Sequence, residues 1–188
     1  MAIDKPFGLP TQRGPRDTDS VLDRVSAQFG AAFPVHRLDQ VASGLVIVAV
    51  TREAARRWSE LLQVGRLHRG YEAVVMGETT TCIWDKFVDG KAARTRVVAS
   101  PSRAGMTHVS VSLETGRFHQ IRQHAALAGT PIVGDRRYGM EIGRRWPRLA
   151  LHAATLILDD ATDPLALTSP IPADLAALWC SAGHPPTG

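Results

Sequence analysis

An aspartate with basic neighbours stands in a short segment just before an apolar run. His36-Arg37-Leu38-Asp39 is followed at residues 44–50 by GLVIVAV, a β-branched pattern that predicts a strand buried on both faces. Loops at strand ends present reactive groups on a rigid support. A carboxylate placed there is partly desolvated and needs a cation beside it. Asp39 is therefore a candidate catalytic carboxylate, and Arg37 is one nearby cation.

A second polar group lies on a helix predicted over about residues 117–127. At 100° per residue, one apolar stripe of this helix is formed by Phe118, Ile121, Ala125 and Ala128. Arg122 falls roughly 80° from the centre of that stripe. Its stem could be buried at the rim while its guanidinium reaches into a cleft. A third group follows at residues 134–139, GDRRYG, a basic loop bracketed by glycines.

The whole chain has an ordinary globular composition with a basic balance. It has 188 residues, 44% hydrophobic and 21% charged, with a net charge of +4. Arginines cluster in two regions, which suits phosphate binding and base stacking by a nucleic-acid-binding protein. A GC-rich genome, which favours arginine codons, would give the same bias. The clusters are Arg52, Arg56, Arg57, Arg66 and Arg69, and Arg136, Arg137, Arg144, Arg145 and Arg148.

The remaining composition favours a cytoplasmic protein without a metal. Cys82 and Cys180 match no zinc or redox spacing, so two reduced thiols are expected. There is no apolar run of the ~18 residues that a membrane span needs, and no signal-peptide pattern. The spacings of His36, His119, His124 and His152 suit no common metal site. The sequence gives no clue to the oligomeric state, and a monomer is slightly favoured.

Five strand signals, which include the run at 44–50 and a strand end at Ala2-Ile3, outnumber four helix signals along the chain. Strands are predicted at residues 71–76, 94–99 and 108–113, with a turn at 101–105 between the last two. Helices are predicted at 20–29, 51–64 and 174–180, the first with Asp19 as a possible cap and the second capped by Thr51. Residues 150–158 fit a helix or a strand. The pattern predicts an α+β fold with a mixed, largely antiparallel central sheet flanked by helices.

Four motifs, in order, resemble the RluA-type pseudouridine synthases of the RluA/RsuA-like superfamily. The family pattern is HRLD-x-x-TSG, K-x-Y-x-A, TGR-x-HQIR-x-H and G-x-PI-x-GD-x-x-YG. The stretches here are HRLDQVASGL, RGYEAVVMG, TGRFHQIRQH and GTPIVGDRRYG, preceded by DKPFG. The resemblance covers about residues 3–158. It implies a single catalytic domain over residues 1–188 that isomerises uridine to pseudouridine in ribosomal or transfer RNA. It also implies an RNA-binding cleft across the sheet, with no metal or organic cofactor.

The resemblance assigns roles to individual residues. Asp39 matches the essential aspartate, and Arg122 matches the arginine that pairs with it. Tyr71 matches the active-site tyrosine that packs against the target base. Arg37 matches a basic residue that handles the flipped nucleotide. Other polar residues of the motifs are predicted to bind RNA, namely His36, Arg69, Arg117, His119, Gln120, Arg136 and Arg137.

The chain departs from the family pattern in three places. Ala42 replaces a threonine, which removes a hydroxyl that could brace the Asp39 loop. Arg69 replaces a lysine and keeps the charge. The first motif starts abruptly, so we expect a truncated N-terminal strand and no preceding S4-type RNA-binding domain, which puts RNA affinity rather than chemistry in question.

Two other functions compete with this hypothesis. One is a non-catalytic RNA-binding or ribosome-assembly protein on the same scaffold, which would bind RNA without turnover. The other is a hydrolase that uses Ser43, His36 and Asp39, although the local sequence Val-Ala-Ser-Gly lacks the GxSxG elbow.

Overall fold

A computed structural model describes residues 1–139, 141, 146–160, 162 and 164–181. Within them the chain forms nine strands and four helices. It divides into two compact units, which are described separately. Unit 1 comprises Met1–Arg69 and Ala153–Ser169, and unit 2 comprises Gly70–His152 and the segment from Pro170 onward. None of the helices in the described ranges is long and apolar enough to cross a membrane.

Unit 1 is built around the predicted apolar strand. The strands are β1 (Ala2–Lys5), β2 (Phe33–Pro34), β3 (Ser43–Ala49), β8 (Leu151–Leu158) and β9 (Leu165–Thr168). β3 is buried at every position, which confirms the predicted buried strand, although it ends at Ala49 and the predicted last residue, Val50, is exposed. β1 and β2 pair antiparallel with β3, β8 lies on its other side, and β9 pairs antiparallel with β8. The segment at 150–158, which the sequence left open, is therefore a strand.

Two helices of unit 1 begin at side-chain caps. In α1 (Val21–Phe29) the hydroxyl of Ser20, not the predicted Asp19, accepts the amide of Asp23 at 3.2 Å. In α2 (Arg52–Gln63) the Thr51 hydroxyl accepts the amide of Ala54 at 3.1 Å, as predicted. The apolar face of α2 packs on a core cluster of residues from β3 and β8 together with Leu67. The side chains of α2 in this contact are Ala54, Ala55, Trp58, Leu61 and Leu62.

Unit 2 contains an antiparallel series of strands. The series runs β4 (Leu67–Met76), β7 (Met106–Leu113), β6 (Thr95–Ala99) and β5 (Cys82–Trp84). β4 starts four residues before its predicted position, and β5 was not predicted. The helices are α3 (Gln120–Leu127) and α4 (Ala173–Ser181). The open sheet is mixed and largely antiparallel, so the predicted fold class is confirmed.

Candidate active site

The backbone on both sides of Asp39 is fixed by the buried side chains of Lys5 and Thr11. Lys5 is fully buried, and its ammonium donates to the carbonyls of Ala42 at 2.6 Å and Gln40 at 3.3 Å. It also donates to the carbonyls of Pro6 at 3.0 Å and Leu9 at 2.9 Å. A buried ammonium needs such a full set of acceptors. Lys5 therefore ties the end of β1 to the segment that carries Asp39.

A hydroxyl fixes the other side of the same segment. The Thr11 hydroxyl donates to the carbonyl of Leu38 at 3.0 Å and accepts its amide at 3.1 Å. The amide of Ala42 donates to the carbonyl of Asp39 at 3.0 Å and closes a turn. The half-buried Asp39 thus stands on a braced turn. Sequence reasoning missed Lys5 and Thr11, although a lysine within DKPFG at a strand end was a usable signal.

His36 is buried beside this segment as a neutral imidazole. Its Nε2 accepts the amide of Ile47 at 3.2 Å. Burial, with the positive charge of Arg69, lowers the pKa of His36 to about 4. Because Nε2 is occupied by a backbone amide, it is not available as the general base that the hydrolase hypothesis requires. Among the other predicted RNA-binding residues of unit 1, Arg37 is exposed and Arg69 is half-buried.

In unit 2, Arg122 is held by an aspartate to which the sequence assigned no role. Its Nε donates to Oδ2 of Asp135 at 2.8 Å and its Nη2 donates to Oδ1 at 2.9 Å. Both side chains are almost completely buried, with 6% and 0% exposed. The predicted rim position of Arg122 is therefore wrong, because a bidentate partner allows the whole guanidinium to be buried. Its predicted pairing with Asp39 stays a prediction.

Asp135 remains ionised because several donors surround it. Burial by itself raises the pKa of Asp135, but the Arg122 guanidinium and the amides of Tyr138 and Arg137 outweigh it and hold that pKa below its usual value. The two amides donate to Oδ1 at 3.0 and 2.9 Å. An aspartate that accepts amides two and three residues later is typical of a turn, and this pattern in GDRRYG could have identified Asp135.

The start of α3 is anchored by Gln120 rather than by a capping side chain. The Gln120 amide oxygen accepts the Thr115 hydroxyl at 2.7 Å and the Arg117 amide at 2.9 Å. Its nitrogen donates to the Arg94 carbonyl at 3.0 Å and the Thr95 hydroxyl at 2.8 Å. The Gln120 side chain is buried, so the structure gives it a positioning role. Its contact with RNA stays a prediction.

The other predicted residues of unit 2 divide into buried and exposed groups. Tyr71 is 5% exposed and pairs with Val111 in the β4–β7 ladder. His119 is half-buried, whereas Arg117, Arg136 and Arg137 are exposed. Arg144 and Arg145 of the second arginine cluster lie outside the described residues. Both cysteines are free thiols.

Comparison with known proteins identifies the family. Residues 1–127 match the RNA pseudouridylate synthase family. The chain belongs to this family. The RNA pseudouridylate synthases most similar to it include the dual-specificity RNA pseudouridine synthase RluA of Yersinia pestis, 35% identical over 84% of this chain and 87% of the relative. The RluA of Escherichia coli K12 is 32% identical over 93% of this chain and 89% of the relative.

Further relatives agree with this assignment. The ribosomal large subunit pseudouridine synthase D of Pseudomonas aeruginosa is 32% identical over 95% of this chain and 67% of its own length. Two human structures, RNA pseudouridylate synthase domain containing 1 and 4, share the fold. Their TM-scores are 0.75 and 0.74, at 24% and 23% identity, over 100% and 93% of this chain and 86% of each of theirs. The chain is an RNA pseudouridine synthase, which is an isomerase.

Proposed function

We propose that Asp39 is the carboxylate that isomerises uridine to pseudouridine in ribosomal or transfer RNA in the cytoplasm. The observation that supports this most directly is the bracing of its turn. Lys5 and Thr11 hold the backbone on either side, while the Asp39 side chain is partly exposed. A preorganised carboxylate on a rigid element is what a reaction at a ribose carbon needs.

The reaction exchanges one glycosidic bond for another. The bond between ribose C1′ and uracil N1 breaks, the base turns, and C5 bonds to C1′. The C5 proton is lost to solvent and N1 gains a proton, so the product is an isomer. The uracil must first leave its stack, which costs a few kcal/mol and less in a loop than in a helix. We assign Tyr71 to packing against the extruded base.

The Asp39 carboxylate can act by two routes. It attacks C1′ and forms a covalent ester, or it removes the C2′ proton so that a glycal forms. Only the second route breaks the C2′–H bond. Deuterium at C2′ of the target uridine therefore slows the isomerisation step by the second route alone, which a single-turnover comparison with unlabelled RNA measures.

Cationic residues complete the proposal. Arg122 is assigned to the reaction with Asp39, and its bidentate bond to Asp135 supports a fixed position for that guanidinium within unit 2. Arg37 is assigned to the flipped nucleotide. The exposed Arg117, Arg136 and Arg137 suit phosphate contacts. The RNA-binding roles of His36, Arg69, His119 and Gln120, and the cleft that the resemblance implies, belong to the same proposal.

The test is an Asp39→Asn variant, assayed by release of tritium from RNA labelled at uridine C5. The RNA is total RNA from cells that lack the gene. We expect Asp39→Asn to lose at least about 10³-fold in single-turnover rate because Asn cannot supply the carboxylate. Its thermal unfolding midpoint should stay close to that of the wild type. Asp85→Asn, which alters an exposed carboxylate, is the matched control and should release tritium normally.

The outcomes separate the competing functions. Equal tritium release by the wild type and Asp39→Asn would refute the catalytic role of Asp39. RNA binding by a wild type that releases no tritium would support the non-catalytic RNA-binding function instead. Pseudouridines are then mapped in total RNA from cells with and without the gene. The site that is lost without the gene shows whether the substrate is ribosomal or transfer RNA and which uridine is modified.

A further inference from the structure

An exposed phenylalanine ring lies flat against a histidine just before α3. The Phe118 side chain is 54% exposed, which contradicts its predicted place in the apolar stripe of the helix. Its ring stacks on the imidazole of His119, with 3.7 Å between ring centroids and 21° between planes. This pair belongs to the TGRFHQIRQH motif, and Phe118 occupies the position that the family pattern leaves variable.

The imidazole beneath Phe118 is itself fixed. His119 adopts a left-handed backbone conformation, with φ 50°, at the N-cap of α3. Its Nδ1 lies 3.1 Å from the Tyr138 hydroxyl, and the two rings meet edge to face at 5.8 Å and 85°. Arg122 lies over the Tyr138 ring at 5.1 Å. The Phe118 ring is therefore connected by successive contacts to a guanidinium assigned to the reaction.

A second guanidinium lies over the same rings. The centre of the Arg137 guanidinium is 5.7 Å from the Phe118 ring centroid and 5.4 Å from that of Tyr138. Arg137 is exposed and, in the described part of the chain, pairs with no carboxylate. Its planar cation is thus available to a base or a phosphate.

Single exposed apolar side chains are common and need no function. Phe87 is an example in the same unit, because it is 67% exposed and contacts no other ring or guanidinium among the described residues. Phe118 differs because a second ring lies flat against it and a guanidinium lies over it. Aromatic rings and arginine planes together are the surface on which proteins stack unpaired RNA bases.

We propose that Phe118 and Arg137 form a stacking subsite for an unpaired nucleotide of the RNA substrate other than the uridine that is isomerised. The base stacks on the aromatic and guanidinium planes, and the cation also attracts the neighbouring phosphate. The subsite rests on the proposed function, since it takes part of the same substrate. It selects RNAs that offer an unstacked neighbour, so Phe118 is a specificity-determining residue.

The kinetic test compares Phe118→Ala, Phe118→Leu and Phe118→Tyr in the tritium-release assay on total RNA from cells that lack the gene. Because stacking one base contributes about 1–3 kcal/mol, we expect Phe118→Ala to raise the half-saturating RNA concentration about 10-fold. The rate at saturating RNA should stay within about twofold, since stacking away from the reacting uridine contributes equally to ground state and transition state. Phe118→Tyr should behave as the wild type, and Phe118→Leu as Phe118→Ala.

Two controls distinguish stacking from general packing. Phe87→Ala removes a more exposed ring and should leave the half-saturating concentration unchanged. Arg137→Lys keeps the charge but loses the planar guanidinium, so we expect it to raise the half-saturating RNA concentration. A purely electrostatic contact would leave that concentration unchanged. The proposal is overturned if Phe118→Leu has the half-saturating RNA concentration of the wild type, or if Phe118→Ala changes that concentration no more than Phe87→Ala does.

A binding measurement separates this proposal from the proposed function. Fluorescence anisotropy with a labelled twelve-nucleotide polyuridine follows binding without turnover. If the wild type releases no tritium but Phe118→Ala weakens binding and Phe118→Tyr does not, the proposed function fails and the subsite stands. If turnover is normal while Phe118→Ala changes neither binding nor the half-saturating concentration, the subsite alone fails.

Discussion

Two buried cations, Arg122 and Lys5, are stabilised by different kinds of partner. Arg122 is held by the carboxylate of Asp135, whereas the ammonium of Lys5 is held by backbone carbonyls. A buried charge is costly unless its partners are complete, so removing one partner costs more than the contact seems to contribute.

Asp135→Asn should destabilise unit 2 and slow the reaction. The variant keeps the shape but removes the carboxylate that binds the buried Arg122 guanidinium in a bidentate manner, so we expect the free energy of unfolding to fall by about 3 kcal/mol. Urea denaturation measures this loss. Glu114→Gln, which breaks exposed ion pairs with Arg94 and Arg96, is the control and should cost under about 1 kcal/mol. A loss at Asp135 no larger than that of the control would contradict the prediction.

His36 should make the protein less stable as the pH falls from about 6.5 to about 4. The pKa of His36 is about 4 in the folded protein and 6.5 for an ordinary histidine, so only the unfolded chain takes up the proton in this window. The free energy of unfolding should therefore fall by about 2–3 kcal/mol through this group alone. His36→Gln keeps an acceptor for Ile47 but does not titrate. Urea midpoints at pH 7.5 and 4.5 should differ less in this variant than in the wild type, and equal differences would refute the assignment.

The helix α3 begins three residues later than the sequence pattern predicts, because a turn precedes it. Residues 117–119 were assigned to the helix on periodicity alone, yet they form the turn that Gln120 closes through Thr115 and Arg117. The helix then starts at Gln120, and the left-handed His119 precedes it. This geometry turns Phe118 outward instead of into the core. One buried amide thus decides which side chains of the motif are exposed.

Gly44→Ala should strongly destabilise unit 1 because β3 and β8 approach closely at this position. A Cβ on Gly44 would lie 2.2 Å from the Ala153 carbonyl oxygen, and the backbone there has φ +107°. Clash and backbone strain together should cost at least about 3 kcal/mol. Gly65→Ala, at φ +76° with nothing within 4 Å of the added Cβ, isolates the strain and should cost about 1–2 kcal/mol. Equal losses in urea denaturation would show that the close approach does not matter.

At the scale of the whole chain, local patterns predicted what depends on local chemistry. The apolar run of β3, the Thr51 cap of α2 and the fold class were all correct, because each depends on neighbouring residues or on overall strand frequency. The short strands β5 and β9 were missed because three or four residues carry no periodicity and depend on a partner strand.

The sequence motifs name the residues of the proposed site, whose roles stay predictions, but they do not reveal the residues that support them. The motifs located the segment of Asp39 and the helix of Arg122. The roles of Lys5 and Asp135 depend on contacts with residues far away in the sequence, such as Ala42 and Arg122, which composition and spacing do not reveal. The division into two compact units also had no sequence signal, and the expectation of one catalytic domain stays a prediction.

The backbone carbonyls that surround the Lys5 ammonium make this amine a probe of the turn that carries Asp39. The chain has only two other lysines, Lys86 and Lys91, and both are exposed. An amine-reactive reagent such as acetic anhydride labels those two at once, but it reaches Lys5 only when residues 38–42 come away from β1. The labelling rate of Lys5, measured by mass spectrometry relative to the rates of the other two lysines, therefore reports how often the turn that carries Asp39 opens.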